Sequence, residues 1–176
     1  MKIIGLAHFT IISVRGLAIA SIRLYTDKEK NMTQLRLCLF GAGRVYRDNI
    51  LVHITRRKAL AMLVYLAMNG KPYERDTLGV IFWPESADSR NQVRVALSTL
   101  RSALGSEWLT EHGNLVQIAN VDNIWIDISA FKSLYAIHTE HVVHCVEQYE
   151  QALMLVQGEF MAGFTLRDCP VFDDWL

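Results

Sequence analysis

From Ser89 to Leu104 the chain carries three arginines, one asparagine, one glutamine, one threonine and three serines, and no acidic residue. Side chains of these types bind anions and base edges: guanidinium forks onto phosphate or guanine, amides pair with adenine, and hydroxyls serve either. Their spacing predicts a helix that separates them from its own core. Val93, Leu97, Leu100 and Leu104 follow an i, i+4, i+7, i+11 ridge, the buried seam. Asn91, Val95, Ser98 and Ser102 repeat that spacing about 200° round the helix. Arg90, Arg94 and Arg101 line one flank of this far face, and Gln92 and Thr99 line the other. Small side chains let a helix backbone sit deep in the major groove, which admits a helix about 12 Å across. An ordinary solvent face mixes Glu with Lys, since i, i+4 pairs support a helix. This face does not. In this reading Arg90, Arg94 and Arg101 make the main cationic contacts, with Asn91 and Ser98 towards the base edges. The rival reading is a protein-interaction adaptor that docks a partner on the same helix, with the acidic C-terminal helices as part of its surface. Such a face would favour large aromatic or aliphatic anchors around Asn91, Val95 and Ser98.

A helix of this kind needs a scaffold, and the preceding residues supply one. Residues 34–40 alternate Leu35, Leu37 and Leu39 with Gln34, Arg36 and Cys38, a period-two strand. A Gly-Ala-Gly turn, a short strand over 44–47, an Asp-Asn turn and a strand over 50–54 complete an antiparallel meander. Thr55 is expected to cap a helix from Arg56 to about Met68, with Asn69-Gly70 as its stop. That helix opens on Arg56, Arg57 and Lys58, a second cationic group suited to phosphate. A shorter helix over 76–83 ends at Pro84, and Ser86 and Asp88 are candidate caps of the third helix. Strands over 108–110 and 115–118 then form a hairpin whose tip carries His112 and Asn114.

Residues 35–40, 55–60, 78–84 and 93–104 resemble the DNA-binding half of SARP-type transcriptional activators. Those regulators join an OmpR-type winged helix to a helical, TPR-like bacterial transcriptional activator domain (BTAD). Residues 149–155, 158–164 and 168–175 resemble the opening of that second domain. The resemblance implies an α+β winged helix over 32–126, with a meander, three helices and a hairpin wing. It implies the beginning of a truncated helical activator domain over 127–176. It also implies double-stranded promoter DNA and RNA polymerase as partners, and a tandem homodimer on repeated half-sites. At the wing the chain departs from the family pattern: where a basic residue normally reaches the minor groove it has only His112 and Asn114.

The remaining features argue for other chemistry only faintly. His138, His141 and Cys145 fall at helical spacing and would suit zinc if a fourth ligand converged; Cys145 packed inward is the plainer reading. No cofactor and no metal are expected. No Gly-rich phosphate loop or nucleophile elbow is present, so a non-enzymatic binding protein is expected. Three scattered cysteines among 176 residues favour a reducing, cytoplasmic setting. Residues 1–31 are apolar but interrupted by His8, Arg15 and Arg23, which makes an extension a better reading than a membrane span.

The formal net charge of zero conceals an asymmetry, with residues 32–126 at +3 and residues 127–176 at −6. About fifty residues are too few for a full TPR-like core. The acidic tail is therefore expected to be loose, leaving Phe160, Phe164 and Trp175 partly exposed.

Overall fold

In the computed structural model, residues 33–136 and 142–176 are described. The alternation read in the sequence produces β1 (Leu35–Cys38), whose leucines are fully buried while Arg36 and Cys38 are half-buried. β1 pairs antiparallel with β2 (Arg44–Arg47), and β2 with β3 (Ile50–Val52). Asp48 and Asn49 both adopt positive φ, the backbone that a tight hairpin between twisted strands requires. The sheet has a fourth strand that periodicity did not reveal. β7 (Ile124–Ile126) runs parallel to β1, giving the order β3-β2-β1-β7.

Three helices follow and share one core with the leucines of β1. α1 (Arg57–Asn69) buries Ala59, Met62, Leu63 and Leu66 and stops at Gly70, whose left-handed backbone lets its N–H reach the Leu66 carbonyl. Its N-cap is Arg56 rather than the expected Thr55, and no side chain caps it. α2 (Arg75–Phe82) and α3 (Ser89–Leu104) follow, and α3 also begins without a side-chain cap, at Asp88. The α3 seam is as expected: Val93, Leu100 and Leu104 are fully buried and Leu97 is 1% exposed. Beyond it, β5 (Leu109–His112) and β6 (Leu115–Ile118) form the hairpin. A two-residue strand, β4 (Tyr73–Glu74), joins the hairpin as a third strand ahead of α2.

The C-terminal part begins with α4 (Asp127–Ala136) and α5 (Val142–Leu155) and ends in α6 (Pro170–Trp175). Asp127 is the buried acid that ties α4 to the first sheet. Its Oδ2 accepts from the Leu39 and Phe40 amides at 2.7 and 2.9 Å, and its Oδ1 accepts from the Ile128 amide at 2.8 Å. Buried backbone donors at a strand end need partners, and a carboxylate satisfies them strongly.

The tail is not loose. Residues 159–162 lie along the end of β1, with the Met161 amide donating to Leu39 O and the Ala162 amide to Gly41 O, both at 2.7 Å. A Cβ on Gly158 would stand 3.3 Å from the Gly41 Cα, so glycine permits this approach. Met161, Leu166, Cys169 and Phe172 are buried in the common core. Phe172 packs on Phe82 with the rings tilted and their centres 5.3 Å apart, and Phe160, Phe164 and Trp175 are half-buried in the same cluster. The tail's own apolar residues are too few for a separate core, but they need not form one. The tail instead completes an apolar surface left by α1 and α2, and residues 33–176 form one unit. Among the described residues no helix is long and apolar enough to cross a membrane.

Candidate nucleic-acid interface

The face opposite the α3 seam is open. Arg90, Arg94, Ser98 and Ser102 are exposed, and Asn91, Gln92, Val95, Thr99 and Arg101 are half-buried. Together with His53 and Thr55, the residues Arg94, Val95, Ser98, Thr99 and Ser102 line a shallow groove of about 690 Å³. Neither His53 nor Thr55 belongs to the expected set; the meander brings them beside α3.

The arginines of α3 differ in how they are held. Arg94 donates from Nη2 and Nε to the Asn91 Oδ1, at 2.8 and 3.2 Å. The Asn91 side-chain nitrogen has no hydrogen-bond partner among the described residues. Arg90 forks onto the Asp76 carboxylate of α2, and its side chain remains 70% exposed. The bonded guanidinium holds the Asp76 carboxyl below the usual carboxylate range, and Asp76 in turn raises Arg90. Arg101 donates to Glu111 Oε1 of β5 at 2.6 Å, while Arg75 of α2 takes the other oxygen of the same carboxylate. Glu111 therefore joins α2, α3 and the hairpin at one point. Thr99 spends its hydroxyl on the Val95 carbonyl, 2.9 Å away, one turn back in its own helix.

His112 and Asn114 are both exposed at the hairpin tip, which turns at Gly113 with φ +61°. The Asn114 carbonyl accepts from the Arg75 amide at 3.0 Å, and its side-chain amide lies 3.5 Å from Asp76 Oδ2. Asp76 thus faces Arg90 and the hairpin tip together. Asp76 and Glu111 were missed because they lie on other elements, 14 and 10 residues from their α3 partners. A search for acids within one helix turn cannot find them.

The second cationic group lies at the start of α1. Arg56 is exposed and has no ion-pair partner among the described residues. Arg57 Nη2 donates to the Thr165 carbonyl at 3.0 Å and its guanidinium lies 4.7 Å from the Phe164 ring centre. Lys58 bonds Asp168 at 2.6 Å, and its ammonium is 5.4 Å from the Trp83 ring centre. The lysine holds the Asp168 carboxyl below its ordinary range. Two of the three cations are therefore engaged by the C-terminal segment, a relation no local pattern signals.

His138 and His141, read as possible zinc ligands, lie outside the described residues, as do the side chains of His144 and Cys145. Among the described residues no three potential metal ligands converge.

Among solved structures the chain is similar to Mycobacterium tuberculosis EmbR in complex with a low-affinity phosphopeptide. The TM-score is 0.62 at 20% identity, over 82% of this chain and 41% of that one. The likeness is one of fold, and the chain spans less than half of that protein's length. No family model and no curated protein matches the chain.

Proposed function

We propose that this chain binds double-stranded promoter DNA through a winged-helix unit and regulates transcription. The observation that carries the reading is the α3 face. It is open, small and free of acids along the helix, backed by a fully buried seam and flanked by the β5–β6 hairpin. A helix with that profile enters a major groove with its backbone close to the bases, and Arg94 and Asn91 are the paired groups best placed to reach base edges. Arg90 and Arg101, tied to Asp76 and Glu111, orient α3 against α2 and the hairpin. Activation through RNA polymerase, and tandem protomers on repeated half-sites, follow from the resemblance to SARP-type activators. The adaptor reading finds no large anchor on this face, where Val95 is the bulkiest apolar group and is half-buried.

The test is a fluorescence-anisotropy titration of a mixed-sequence duplex over a range of salt. With about four phosphates contacted, log Kd against log salt should give a slope of magnitude about 3 to 4. Absent binding at low salt, or a flat response, would return the face to a protein partner.

A further inference from the structure

The C-terminal segment is acidic apart from Lys132 and Arg167, and Arg167 sits against the cationic start of α1. There Arg56, Arg57, Lys58, Gln92, Thr165 and Arg167 are among the residues lining a cleft of about 610 Å³. Four cations meet one carboxylate, Asp168, which is bonded to Lys58. Arg56 and Arg167 are exposed and have no ion-pair partner among the described residues. Gln92 and Ala96 of α3 form the adjoining wall, so the cleft runs beside the open face of that helix. An open cleft with surplus positive charge next to a groove-binding helix fits a polyanion strand.

The loop that brings Arg167 here is fixed at several points. Asp173 accepts from the Leu166 amide at 2.8 Å and from the Thr165 hydroxyl at 2.9 Å. The buried Cys169 thiol lies 3.0 Å from the Phe82 carbonyl, and Phe172 is fully buried. Arg57 and Lys58 hold the two ends of the stretch from Thr165 to Asp168. The backbone at Arg167 is therefore held in place, while its side chain is exposed.

We propose that the loop over residues 163–168 is part of the DNA interface and that Arg167, with Arg56, binds the phosphate backbone beside the major groove entered by α3. This rests on the DNA-binding reading and extends it. The second unit of the expected architecture then supplies a DNA contact of its own, and the footprint is wider than the helix and hairpin alone.

The experiment compares full-length wild type, Arg167→Gln, Arg167→Lys and Lys132→Gln on a mixed-sequence duplex across salt, with thermal melting alongside. Losing one phosphate contact should flatten the salt slope by about 0.9 and weaken binding roughly five- to ten-fold at 0.1 M salt, by the same factor on every sequence. Arg167→Lys should restore the slope, and Lys132→Gln, which does not line the cleft, should leave it unchanged. Melting should be the same for all four. A wild type with a steep slope that Arg167→Gln reproduces would overturn this inference and leave the DNA-binding reading standing. A wild type with no salt-dependent binding would overturn both.

Discussion

Arg90 and Arg101 of α3 meet carboxylates from α2 and β5, whereas Arg57 and Lys58 of α1 meet the Thr165 carbonyl and Asp168 of the C-terminal segment. The first pair is held by elements adjoining α3 in the fold, and these contacts tie that helix to α2 and to the hairpin. The second pair is held by a segment more than a hundred residues away that stays docked through Phe172 and its neighbours. Undocking that segment should change the cations of α1 and leave those of α3 in place. One scaffold thus contains two positive surfaces with different dependence on the tail.

The largest expected effect breaks the tail side of this contrast. Phe172→Ala removes a fully buried ring packed on Phe82 and should lower unfolding stability by about 3–5 kcal/mol. Cys169 is buried and its thiol is pushed up to about 11 by that burial, so it should react slowly with a disulfide reagent near pH 8 in the wild type. In the variant it should react quickly. Unchanged protection of Cys169 would show that the tail is held by something other than this cluster.

A pair of substitutions within α3 then separates packing from recognition. Leu97→Ala should cost about 2–5 kcal/mol of stability through the cavity it leaves, with near-normal DNA affinity in the folded fraction. Arg94→Ala should change stability by no more than about 0.5 kcal/mol, because the side chain is exposed. It should weaken binding to a specific site by about 1–3 kcal/mol if the guanidinium reads a base. Calorimetric melting and a binding titration check both. An Arg94→Ala chain that melts early yet binds normally would mean that the two faces of α3 have been exchanged.

The smallest effect concerns the Lys58–Asp168 pair. Asp168 is lowered in the folded chain, so its contribution is complete above the unfolded carboxylate value of about 4 and disappears as pH falls through the lower folded value. With the Asp168 side chain 61% exposed, solvent screening limits this to at most about 1 kcal/mol. Asp168→Asn should flatten the stability-against-pH curve in that acid window alone. A difference between variant and wild type that persists only above neutral pH would assign the effect to another group.

Most elements were legible because their signals are local. The leucine alternation of β1, the α3 ridge, the Gly70 stop and strands 44–47 and 115–118 each need only neighbouring residues, and all are observed. The Thr55 cap was not, since a hydroxyl ahead of a helix does not reveal where the first helical turn closes. β4 and β7 were missed for a different reason. Two- and three-residue strands have no period to detect, and each exists because a distant strand supplies its hydrogen bonds.

By itself the sequence determined the buried seam of α3 and its acid-free opposite face, because helical geometry converts spacing directly into direction. It determined β1 by the same logic at period two and the rest of the meander by its turn residues, whereas the first hairpin strand, expected over 108–110, runs over Leu109–His112 because Trp108 closes a 3-10 turn. Only the tertiary structure decided which of the cations are engaged. Asp76, Glu111 and Asp168 reach Arg90, Arg101 and Lys58 across elements, and Asp127 reaches the end of β1 from 88 residues away. An ion pair depends on distance in space, and chain periodicity carries no information about distance once the backbone has turned between elements.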